Sequence, residues 1–106
     1  MGLSREHNLR ILNYCAGVIS AEELLKVEAG SRWNQCESLF YVALDRLAQQ
    51  DRAGAREYFG KALATGVFTY GEYQWSRMFL QRMEKDPNWP PWIPLKEPAT
   101  QPMATP

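Results

Sequence analysis

Residues 36–67 read CESLFYVALDRLAQQDRAGAREYFGKALATGV. Cys36, Phe40, Ala43, Leu44 and Leu47 recur at helical spacing, which predicts a helix over about residues 32–49. Gln49, Gln50 and Asp51 form a polar break. Ala55, Phe59, Ala62 and Leu63 then resume the period and predict a second helix over about residues 52–65. The second stripe alternates small with large side chains, so one helix can approach the other closely while the large residues fill the seam. The short break makes the two helices an antiparallel hairpin.

The flanks extend the same pattern. Ser4 is placed to cap a first helix over about residues 5–16, with Leu9, Ile11, Leu12 and Cys15 as its apolar side and Gly17 ending it. Ser20 followed by Glu23 reads as a capping box opening a short helix toward Gly30. Ser31 caps the helix that follows, and Gly66 stands where a left-handed C-terminal cap is wanted. Thr69 with Glu72 reads as a second capping box, ahead of a last helix to about Lys85 that carries Tyr73, Trp75, Met78, Phe79, Leu80 and Met83. No segment sustains the alternation of a strand. The fold class expected is all-α, with about five helices in antiparallel hairpins.

Composition changes near residue 86: all seven prolines lie at or beyond Pro87. Residues 1–85 are therefore read as a helical domain and 86–106 as a tail that cannot continue the helix. In the tail, Trp89, Pro90, Pro91 and Trp92 favour an extended rod bearing two indoles. The tail is expected to dock rather than run free, either on the chain's own helices or on a partner.

At 106 residues the chain is one domain at most. Such a chain buries only about 60–65% of the surface that its unfolded form exposes, so the core is thin. Twelve basic residues balance twelve acidic ones, which gives no electrostatic footprint for nucleic acid. Arg77, Arg82 and Lys85 cluster where a helix C-terminus favours cations. The two cysteines, Cys15 and Cys36, make no disulfide framework and are expected as buried thiols. His7 is the one histidine, and with two distant cysteines it gives no metal-ligand spacing. No apolar run approaches a membrane span or a signal peptide, so a cytoplasmic protein without direct membrane insertion is expected. No catalytic or phosphate-binding motif stands out: Glu22 and Glu23 sit in a first turn, where acids complement the helix dipole. Neither an enzyme nor a cofactor is expected.

The hairpin resembles a tetratricopeptide repeat (TPR), whose first helix follows W-x2-L-G-x2-Y and whose second follows A-x3-F, with a later proline. Val42 and Ala43 stand in the Leu and Gly places, and Ala55 and Phe59 match the A-x3-F pair. Leu39, Arg46 and Val67 replace the Trp, the Tyr and the Pro. Residues 18–84, including VISAEELL (18–25) and ATGVFTYGEY (64–73), look like the C-terminal part of bacterial TPR proteins, adaptor lipoproteins among them, in which a repeat is followed by a capping helix. The resemblance implies a bacterial origin and a non-catalytic adaptor or scaffold that binds a protein or peptide. It does not bring a lipid anchor, since neither signal peptide nor lipidated cysteine is read near the start.

By the same resemblance, the ligand-facing groove positions fall on Glu37, Phe40, Leu44, Leu47 and Ala48. Members that clamp a peptide carboxylate are similar in placing Asn and Lys or Arg there, whereas this chain has Phe40 and Leu44. An apolar groove is implied, unless those residues serve only as core. Trp75 and Phe79 are either covered by the tail or part of a subunit interface. One good repeat cannot bury its own apolar face, so self-association or permanent membership of a larger complex is the alternative to a free-standing binding module. Trp89 and Trp92 complete the candidate partner-binding set.

Overall fold

A computed structural model of the chain describes residues 5–95. It contains five α-helices: α1 (Arg5–Cys15), α2 (Ala21–Val27), α3 (Arg32–Ala48), α4 (Arg52–Ala64) and α5 (Gly71–Lys85), with a single 3-10 turn at Glu28–Gly30 between α2 and α3. The fold is all-α, and no strand occurs among the described residues. The N-cap expected at Ser4 and the prolines beyond Pro94 lie outside the described residues.

Local signals place most helix ends. The Ser20 hydroxyl accepts from the Glu23 N–H at 3.0 Å, and the Glu23 carboxylate accepts from the Ser20 N–H at 3.0 Å, so the capping box is complete. Ser31 caps α3 by accepting from the Asn34 N–H. Asp51 caps α4 by accepting from the Gly54 N–H at 2.9 Å. Gly17 and Gly66 follow α1 and α4 with φ of 81° and 75°, the left-handed conformation that needs no Cβ. Between α3 and α4, Gln50 takes the same role at φ 68°. The Gln50 N–H donates to Leu47 O and the Asp51 N–H to Arg46 O, each at 2.9 Å, which closes the helix end as a Schellman motif.

One cap differs from expectation. Thr69 and Glu72 do not form a box: α5 starts one residue later, with Tyr70 in the N-cap place and no side-chain cap bond. The Tyr70 N–H is bonded back to Val67 O, and its ring packs against the buried cluster of Cys36, Leu39, Ala62 and Val67. Tertiary packing of that ring sets the helix start.

α3 is the axis of the core. Its Phe40, Ala43 and Leu47 meet Ala55 and Phe59 of α4 and Met83 of α5. Cys36 and Leu39 meet Ala62 and Val67. Val42 meets Ile11 of α1 and Leu24 of α2. Ala43, Ala55 and Ala62 are wholly buried, and these small residues allow α3 and α4 to pack as the close antiparallel hairpin that the sequence predicts.

The first helix is phased differently from expectation. Leu9 and Leu12 are 51% and 62% exposed, and Cys15 is exposed as well, while Cys36 is buried. His7 and Ile11 point inward instead, with Tyr14 half-buried below them. These three follow the i, i+4, i+7 spacing of one helix face. The phase is set by polar bonds of His7 rather than by the most apolar stripe.

After α5 the chain turns back. Asp86 accepts from the Asn88 N–H, the Trp89–Pro90 peptide is cis, and residues 89–93 return to the core: Pro90 is fully buried, while Trp89 and Ile93 pack on the cluster around Phe59. Among the described residues, no helix is long and apolar enough to cross a membrane.

Candidate functional site

An aromatic ladder runs from the core to the surface. Phe59 of α4 lies 5.0 Å from Phe79 of α5, Phe79 lies 5.2 Å from Trp89, and Trp89 lies 5.5 Å from Trp92, all between ring centroids. Phe79 and Trp75 are one helical turn apart on α5, and both touch Phe40, at 6.2 and 5.7 Å. The Phe79–Trp89 and Trp89–Trp92 pairs are edge-to-face, the arrangement that aligns the positive ring edge with a negative ring face. The Arg82 guanidinium lies 5.9 Å from the Trp89 ring centre. The outer ends of this system face solvent: Trp92 is 71% exposed and Trp75 52%.

The tail is fixed by Arg52, the first residue of α4. Its Nε donates to Trp89 O at 3.1 Å, Nη2 donates to Pro90 O at 3.1 Å and Ile93 O at 2.7 Å, and Nη1 reaches Pro94 O at 3.5 Å. A planar guanidinium can serve several acceptors at once, which an ammonium cannot. Arg52 is itself buried, so its charge is satisfied by main-chain carbonyls rather than by a carboxylate.

The predicted site residues separate into three groups. Phe40 and Leu47 are buried and Leu44 is half-buried against the same cluster, so these groove positions serve largely as core. Trp75, Phe79, Trp89 and Trp92 come together with Phe40 in the ladder. Glu37 belongs elsewhere: it is buried and bonded to His7.

That second locus is a buried polar cluster. His7 Nδ1 lies 2.5 Å from Glu28 Oε2, and His7 Nε2 lies 2.7 Å from Glu37 Oε1. Arg10 donates from Nε and Nη2 to the two Glu28 oxygens at 2.8 and 3.3 Å, and the Asn34 amide also donates to Glu28. Burial alone would push the Glu28 carboxyl up, but the bonds from Arg10 and His7 together outweigh it and hold the group below its ordinary value. Burial pushes the neighbouring Glu72 carboxyl up.

A depressed carboxyl has a signed consequence for stability. The contribution of Glu28 is fully present above the ordinary glutamate pKa of about 4.3 and is lost as pH falls through the lower folded value. Thermal unfolding of Glu28→Gln is expected to show lower stability at neutral pH and a flatter acid limb than the parent. Parallel acid limbs in the two proteins would refute this assignment.

Sequence reasoning did not single out His7, Glu28, Arg10 or Arg52 as positioned groups. No local signal links them, because the partners of His7, Arg10 and Arg52 lie 18 to 42 residues away in the chain and the Glu28 carboxylate has just one nearer, Asn34. A hollow lined by Leu25, Gln35, Leu39, Lys61, Ala64 and Thr65 contains none of the predicted site residues. Among the described residues, no group of three or more His, Cys, Asp or Glu side chains is placed to hold a metal ion. No family model, curated protein or solved structure matches the chain.

Proposed function

We propose that the chain is a non-catalytic, TPR-like protein-interaction module that binds an apolar or helical segment of a protein partner through Trp75, Phe79 and Trp92, in a cytoplasmic setting. The observation that carries this reading is the exposure of two indoles joined to the core by a continuous stack of rings. Interfaces concentrate their binding energy in such rigid aromatic anchors. A ring whose neighbours are already ordered loses little conformational freedom on binding. The groove expected along α3 is narrowed in this reading, because Phe40 and Leu47 are already buried and residues 89–93 occupy the adjoining core.

A second reading is a structural subunit of a larger complex. Exposed Leu9, Leu12 and Val18 on and beside α1, and Phe68 ahead of α5, favour it. The two readings differ in where the partner touches. A photo-crosslinking residue at position 92 is expected to capture a protein that one at Glu57 does not. That protein, purified, is expected to bind Trp75→Ser/Trp92→Ser at least about 30-fold more weakly than the parent, with an unchanged melting temperature. Affinity unaffected by both substitutions would sink the aromatic site, and crosslinks confined to position 9 or 12 would favour the structural subunit.

A further inference from the structure

We propose that α1 is a pH-sensitive flap, held on the body while His7 donates from both ring nitrogens and loosened when the ring keeps a single proton. The proposal is independent of the aromatic site. It rests on the placement of one buried imidazole between carboxylates from two other elements, Glu28 on the 3-10 turn and Glu37 on α3.

An ionised carboxylate only accepts hydrogen bonds, and a neutral imidazole has one N–H. The doubly protonated ring therefore satisfies Glu28 and Glu37 together. The singly protonated ring satisfies one and turns a lone pair toward the other, inside a site without solvent exposure at His7. Imidazole is the side chain suited to change charge in the physiological range.

Charged and titratable groups from four elements surround the ring. Glu28 and Glu37 face His7 directly, and Glu72 of α5 acts on both Glu37 and His7 through space. Arg10 of α1 is bonded to Glu28. The nearby phenols of Tyr41 and Tyr70 are pushed up by burial and stay neutral.

Beyond the Arg10–Glu28 pair, α1 has few attachments to offset the loss of a His7 bond. Ile11 packs on Leu24 and Val42, and the Tyr14 hydroxyl donates to Asp45 at 2.9 Å. Leu9, Leu12 and Cys15 are exposed. Lifting α1 uncovers Leu24 and Val42, both wholly buried in the closed form.

His7 is the one histidine of the chain, so its ring gives a single assignable imidazole signal. In the full chain, amide protection factors across α1 are expected to fall at least about tenfold relative to α3 as pH rises from ~6 to ~9, in step with the ring signal. Glu37→Gln supplies an amide N–H to the lone pair of the neutral ring, so its α1 is expected to stay protected across the range. α1 protection that ignores the ring titration in the parent chain overturns the proposal, and so does a ring that does not titrate before the whole chain unfolds. Equal loss of α1 protection in parent and Glu37→Gln overturns it as well.

Discussion

Phe59→Ala is expected to lower the unfolding free energy by about 3–5 kcal/mol, the largest effect of any single truncation in this chain. Phe59 is wholly buried and sits where three helices converge, 6.0 Å from Phe40 on α3 and 5.0 Å from Phe79 on α5. Two terms add: the lost transfer free energy of the ring, and the cavity left among neighbours that are themselves anchored. Phe79 is the next rung toward Trp89, so the cavity also removes the floor under the docked tail. Against a typical total of about 5–15 kcal/mol for a domain, the variant is left marginal. Urea denaturation followed by helical circular dichroism measures the change. Leu12→Ala is the matched control: Leu12 is 62% exposed, and its loss is expected within about 0.5 kcal/mol. Comparable losses in the two variants would show that burial does not rank these residues.

The contrast between Phe59 and Leu12 also marks how far the sequence could be read. The α3–α4 hairpin was legible because its signals are local. The Ala55–Phe59 pair and Ala62 repeat at helical spacing, and the caps at Ser20–Glu23 and Ser31 bond within three residues of themselves. Gly17 and Gly66 mark helix ends by a conformation that can be inferred from residue type. α1 was misphased because Leu9, Leu12 and Cys15 make a more apolar stripe than His7, Ile11 and Tyr14. The polar bonds that turn His7 inward reach Glu28 and Glu37, 21 and 30 residues away. The same holds for α5, where Thr69 and Glu72 are spaced as a box but the Tyr70 ring decides the start by packing on Cys36, Leu39 and Val67. Of the candidate site, the aromatic residues were visible as types, since large apolar side chains beside a proline cluster stand out in a thin-cored chain. Their alignment into one ladder was not visible, because it depends on where residues 89–93 return. That path is set by a guanidinium whose spacing from its acceptors carries no periodic signal.

Arg52→Ala is expected to release that segment and to lower stability by about 2–4 kcal/mol. The substitution deletes the Arg52 donors to the carbonyls of Trp89 and Ile93 and the longer contact to Pro94, and leaves Pro90 O only its bond from the Ile93 N–H. A buried carbonyl left without a partner costs about 1–3 kcal/mol. Two such costs, at Trp89 and Ile93, can already pass the expected loss, so the tail limits the penalty by lifting into water, where its carbonyls are solvated again. The cost then becomes the docking energy of Trp89, Pro90 and Ile93 on the Phe59 and Phe79 cluster. Release is therefore the expected response rather than a strained docked state. In a chain whose other tryptophans are replaced by Phe, Trp89 emission is expected to shift to the red and become accessible to acrylamide, while the helical signal of α3 and α4 persists. Arg52→Lys is expected to recover only part of the loss, because one ammonium cannot reach carbonyls spread over residues 89–94 in the plane that the guanidinium spans. Full recovery by Lys would mean that charge alone holds the tail. An unshifted Trp89 in Arg52→Ala would assign the docking to ring packing, and would place the aromatic ladder, rather than Arg52, in control of whether Trp92 is presented to a partner.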